Sequence, residues 1–238
     1  MKTKTRRVLA LVGSAFLLVV MTIGATVAYL SDTKTVNNTF SVGHVSILLD
    51  EADVYDFGAE DIPEDKEHGW AKEGDAAARV TENDYKLFPG HTYDKDPTVT
   101  VQEDSEACYV RALVTVKYNK DIDSDENKAF AASMMKWVVG LDKATWVPGE
   151  NKVEKDDEYV TRTYELRYKP IVPATTEDTK LPALFTKIVL PDNLTNDQIA
   201  LLKGLKIDVK AEAIQADGFA NADAAWAAFE GKTSDSNT

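Results

Sequence analysis

Three histidines (His44, His68 and His91) and one cysteine (Cys108) are the nitrogen and sulfur donors of this 238-residue chain. No histidine sits in an H-E-x-x-H pattern, so the helix that carries two zinc ligands and a general base in many metallopeptidases is absent. His91 and Asp94 (HTYD) are spaced to meet across a turn and form a weak metal candidate. Asp121, Asp123 and Asp125 (DIDSD) resemble the start of a calcium loop, but the sixth position is Glu126 rather than Gly and the twelfth is Ala132 rather than Glu. That departure makes a solvated turn the expectation and leaves the three aspartates as a weak, non-EF calcium candidate. No G-x-S-x-G elbow, P-loop or glycine-rich dinucleotide loop appears. A single cysteine excludes an intrachain disulfide and any Cys-rich zinc or iron–sulfur site. No catalytic residue is therefore assigned and no cofactor is expected: calcium stays open at the acidic loops, and zinc is not expected.

Charge narrows the partners. The net charge is −13; residues 1–28 supply four basic side chains and no acid, leaving −17 on the rest. Such a surface repels nucleic acid and anionic headgroups. A hydrophobic fraction of 44% is enough to build a core and excludes global disorder.

The first residues read as an export signal. Lys2, Lys4, Arg6 and Arg7 precede an apolar run from Val8 to Leu30, and small residues stand at Thr26 and Ala28. Cleavage after Ala28 would make Tyr29 the new N-terminus and the protein secreted. An uncleaved signal would be its one membrane contact, since the run is also long enough to span a bilayer.

The remainder must position whatever the chain does. Thr39 to Leu49 reads as a strand with a phase slip at Gly43–His44, which puts Phe40 and Val42 on one parity and Val45, Ile47 and Leu49 on the other. Residues 50–84 hold 13 acids against three bases and read as a solvated insertion, a spacer rather than a site. Strands follow at 96–102, 108–118, 159–168, 185–190 and 206–214, with Cys108, Val110, Ala112 and Val114 on the inward face of the second. Helices are expected at 126–138, from Thr195 to a stop at Gly204, and at 221–230 with Asn221 as cap. Short strands between Gly/Pro turns predict an all-β-dominated antiparallel sandwich over 39–230 with a few peripheral helices, and 231–238 as a disordered tail.

Three stretches together resemble one family. They are TVAYLSDTKTVNNTFSVGHVSILLDE (26–51), LFPGHTYDKDPTVTV continued by ACYVRALVTV (87–116), and LKIDVKAEAIQADGFANADAAWAAF (205–229). The first is similar to leaders processed by a SipW-type signal peptidase in Gram-positive bacteria, and the set resembles the camelysin/TasA family. The resemblance implies a jelly-roll-like extracellular sandwich. It also implies a subunit of the biofilm matrix that polymerises, alone or with related subunits, by donor-strand complementation. In that mode the N-terminal segment of one copy completes the sheet of the next. The candidate donor is 29–38, with Tyr29, Leu30, Val36, Phe40 and Val42 as assembly residues. The camelysin branch implies the alternative of a cell-surface metallopeptidase; a monomeric surface-binding domain is the third reading.

Overall fold

The computed structural model describes residues 44–74, 77–134 and 136–235. The signal segment 1–28 with Thr26 and Ala28, the segment 29–38 with Tyr29, Leu30 and Val36, and the further assembly residues Phe40 and Val42 lie outside the described residues. The chain divides into two units, Met1–Val42 and Gly43–Thr238, and the second holds every element that follows.

In chain order the strands begin with β1 (Ile47–Ala52), β2 (Arg79–Val80), β3 (Thr92–Asp94), β4 (Thr98–Val101) and β5 (Cys108–Asn119). A 3-10 helix (Lys120–Asp123), α1 (Lys128–Met134), β6 (Val138–Val139), β7 (Trp146–Lys155) and β8 (Tyr159–Tyr168) come next. The chain then forms β9 (Thr179–Lys180), β10 (Lys187–Val189), α2 (Asn196–Leu201), β11 (Lys206–Gln215) and α3 (Ala222–Asp235). They make three sheets, ordered β2-β1-β4-β9, β3-β10-β6 and β11-β5-β8-β7. Every pairing between these strands is antiparallel.

Period-2 alternation decides what each sheet buries. Val99 and Val101 of β4 share a core with Cys108, Val110 and Ala112 of β5, and Ile47, Leu49, Ile207 and Val209 pack against it. The first and last sheets thus face each other as the expected sandwich. A second core gathers Tyr118, Ile122, Phe130, Trp137 and Val160 beside Leu190. The opposite parity of β5 is buried too, because α3 lays Ala225 and Trp226 over Tyr109. That covering explains why β5 is apolar on both faces.

Caps match the expected chemistry. The Thr195 hydroxyl accepts from the Gln198 N–H, and the Gln198 side chain accepts from the Thr195 N–H, closing a capping box on α2. The Asn221 side chain accepts from the Ala224 N–H at the start of α3.

Four expectations need correction. The helix expected over 126–138 is confined to Lys128–Met134, since Trp137 gives its carbonyl to Val189 and the chain enters β6. Residues 231–235, expected in a disordered tail, continue α3. The insertion 50–84 is not simply a spacer: Val54 and Tyr55 are buried, and Val54 bridges to Ala71. Finally, β7 was not foreseen, because its Pro148-Gly149-Glu150-Asn151 run looks like a turn. A register shift between Pro148 and Asn151 absorbs those residues within the β7–β8 pairing.

Candidate functional site

Between the sheets lies a cavity of about 1460 Å³. Val114 and Val116 of β5, Ile207 and Val209 of β11, Leu49 of β1 and Trp137 contribute its apolar wall. At its side, β11 and the Ile47–Asp50 stretch of β1 carry a backbone ladder on one edge only among the described residues. β11 pairs with β5 along its whole length and ends its sheet, so its other edge has no strand partner among the described residues. Ile47–Asp50 of β1 pair with β4, and β2 joins β1 only at Glu51 and Ala52. β1 and β11 approach each other without sharing a ladder. An open edge leaves N–H and C=O groups in place to pair with an added strand. Here the edges flank an apolar cavity that could take that strand's inward side chains.

The charges on the cavity wall are largely matched. Glu51, itself buried, holds Lys95 at 2.6 Å and accepts from the Asn83 amide at 2.9 Å. Asp123 takes a hydrogen bond from Tyr118 at 3.0 Å and ion pairs from Arg162 at 2.8 Å and Lys155 at 3.2 Å. Burial works against its charge, but those donors prevail and hold its carboxyl below the usual aspartate range.

That pairing bears on the calcium candidate. The Asp123 carboxylate is already committed to two cations. Asp121 acts through its backbone, its N–H donating to the Asn119 side chain and its carbonyl accepting from Ser124 and Asn127. Asp121 and Asp123 thus sit within the hydrogen-bonded 3-10 helix Lys120–Asp123, and Asp125 follows its cap Ser124. His91 and Asp94 have separate partners as well. Asp94 accepts from the Ala71 N–H at 2.9 Å and faces Lys187 at 3.3 Å, while Nε2 of His91 lies 3.0 Å from Oε2 of Glu67.

The partner of His91 that the sequence did not reveal is His68. The two imidazoles stack with centroids 4.3 Å apart and planes 22° from parallel. Phe88 and Phe57 close round them, with Phe88 5.1 Å from the His68 ring and Phe57 5.2 Å from it. Burial, followed by the neighbouring His91, lowers the pKa of His68 below the ordinary histidine value. The packing depends on Gly69 beside His68, which has φ +77° and where a Cβ would run into the Tyr93 ring. Only glycine allows the insertion to approach β3 so closely. His44 lies elsewhere, before β1, where its carbonyl accepts from the Glu106 N–H.

Residues 3–63 match the family model described as Camelysin metallo-endopeptidase. The match covers about a quarter of the chain and bears out, over that stretch, the resemblance of the leader and first strand to camelysin. No curated protein and no solved structure matches the chain.

The family description implies a catalytic metal ion, and the donor set can be tested against one. Zinc takes imidazole nitrogens at roughly 2.0–2.1 Å, with each lone pair in its ring plane pointing at the metal. Rings stacked face to face, 22° from parallel, direct their lone pairs along separate planes instead of toward one point. Among the described residues no group of three or more His, Cys, Asp or Glu is placed to hold a metal ion. The described residues do not fit the group.

Proposed function

We propose that this chain is an exported structural subunit of a surface or extracellular matrix, joined to its neighbours by strand addition. The observation that carries the reading is the apolar cavity flanked by the one-sided edges of β1 and β11. The donor is segment 29–38 of another copy, freed by cleavage after Ala28 by a SipW-type peptidase. Ten residues in extended form reach about 33 Å, which is ample to run the length of either edge. Leu30 and Val36 share one parity with Phe40 and Val42 just beyond the segment, so one face of the donor carries the apolar side chains. Backbone pairing supplies affinity in this mode, and the pockets for alternate side chains set register. The acidic surface suits a role outside the cell that avoids nucleic acid and anionic membranes. Light scattering on forms beginning at Tyr29 and at Thr39 tests the reading.

The second reading is a cell-surface metallo-endopeptidase, favoured by the name of the family matched over residues 3–63. It predicts stoichiometric zinc and chelator-sensitive casein hydrolysis that is lost on replacing His44, His68 or His91.

A further inference from the structure

We propose that the His68–His91 stack is a proton-operated latch that fastens the acidic arm 53–72 to the turn before β3. The inference goes beyond the assembly reading and does not depend on it.

The attachments of the arm's far part, around Gly69 and Ala71, gather beside the stack. The Asp94 N–H donates to the Gly69 carbonyl at 2.8 Å, and the Ala71 N–H donates to the Asp94 carboxylate at 2.9 Å. Within the arm, Tyr55 and Trp70 share a hydrogen bond of 3.0 Å, and the Gly69 N–H donates to the Tyr55 carbonyl at 2.7 Å. The start of the arm is held apart from the stack, the Asp53 N–H donating to the Ala78 carbonyl at 3.0 Å and the Val54 N–H to the Asn83 side chain at 3.2 Å. Its far part is held by aromatic contact, Phe57 and His68 against Phe88, His91 and Tyr93.

Nε2 of His68 and Nε2 of His91 are both shielded from water, and neither makes an aligned hydrogen bond among the described residues. Neutral imidazoles tolerate that setting, because rings stack well and each has a nitrogen that need not donate. Imidazolium rings do not, since every N–H becomes a donor and two cations would lie face to face 4.3 Å apart.

The surrounding charges offer partial relief. Glu67 of the arm lies 3.0 Å from His91 Nε2, without hydrogen-bond alignment. Lys86, whose Nζ sits 3.8 Å above the Phe57 ring, adds positive charge, and its carbonyl favours a proton on His68. Asp192, from the segment after β10, packs against Gly90. Tyr93 stays a neutral phenol, its pKa raised by burial. One carboxylate thus faces two prospective cations, with a lysine beside them.

The consequence reaches the cavity. Tyr93 belongs both to the support of the stack and to the cavity wall, and its hydroxyl accepts from the Phe88 N–H at 2.7 Å. Acidification should therefore free the arm and loosen that side of the wall together.

Amide hydrogen exchange of the purified protein at about pH 7.5 and about pH 5, either side of the ordinary histidine value near 6.5, tests the latch. After correction for intrinsic rates, protection at Tyr55, Gly69 and Phe88 should fall about tenfold or more at the lower pH, while β5 and β8 keep theirs. The double variant H68F/H91F keeps aromatic stacking and should lose the pH dependence. Imidazole proton NMR of the unaltered protein gives a second readout, in which His68 should titrate below the ordinary value. Equal arm protection at both pH values, or a double variant with unchanged pH dependence, would overturn the latch. So would a normal His68 titration, or zinc alone shifting both histidine signals in a one-to-one complex.

Discussion

Arg111 on β5 and Glu165 on β8 lie one diagonal step apart across the sheet, with Nη1 and Oε1 separated by 3.0 Å and both side chains sealed from water. Arg111 also binds Glu212 of β11 at 2.8 Å and Glu230 of α3 at 2.7 Å, and its guanidinium lies 4.4 Å from the centre of the Trp226 ring. One buried cation thus ties together two strands and the helix that covers them. Replacing Arg111 with Ala removes a shared cation from the buried carboxylates of Glu165 and Glu212, which keep Arg167 and Lys210 respectively, and should cost about 1–3 kcal/mol, read as a lower denaturant midpoint. An unchanged midpoint would mean that α3 does not depend on this cluster.

The same cluster sets an acid limit. Burial works against the charged forms of Glu165 and Glu212. Arg167, the Glu150 N–H and Arg111 overcome it at the first, and Lys210 and Arg111 at the second, so both carboxyls sit below the usual glutamate range. A carboxyl with a depressed folded-state pKa contributes stability that is present above its unfolded value and lost as pH falls through the folded one. His68, a base held below its ordinary value, acts in the same direction, because unfolding lets it take up a proton. Stability should therefore fall in two stages on acidification, first below the histidine range and then below the carboxylate range. A midpoint temperature that stays flat from neutral pH to about pH 4 would contradict the assignment.

Cys108 is buried at the head of β5, and burial pushes its thiol up to about 11. A maleimide should leave it unmodified at neutral pH and label it quantitatively in denaturant. Rapid labelling of the native protein would show that β5 is not sealed at that end.

Gly69 tests how the arm is seated. Gly69→Ala combines a left-handed backbone with a Cβ driven into the Tyr93 ring, and should cost about 1–3 kcal/mol. Proteolysis should then cut the arm 53–72 faster while β5 and β8 stay resistant. Unchanged cleavage would mean that the close approach to Tyr93 does not hold the arm.

What the sequence made legible follows from range. Strict alternation in 108–118 and 206–214 marked β5 and β11 and their inward faces, because period 2 is a local property. The caps at Thr195 and Asn221 were readable for the same reason. The strand β7 was hidden because a proline and a glycine at a bulge look like a turn from one strand alone, and only the pairing with β8 resolves them. The meeting of His68 with His91, and of Glu67 with His91 in place of Asp94, joins segments more than 20 residues apart across an acidic stretch with no periodic pattern. The open edges of β1 and β11 were equally illegible, since an edge is defined by the absence of a neighbour in three dimensions.

The central claim is that the cavity beside β1 and β11 receives the N-terminal segment of another copy. Size-exclusion chromatography with light scattering on two forms, one beginning at Tyr29 and one at Thr39, tests it most directly. The account predicts that the longer form grows into polymers with time and concentration while the shorter stays monomeric and folded. If both forms remain monomeric at high concentration, or both polymerise alike, residues 29–38 do not carry assembly and the strand-addition account is contradicted.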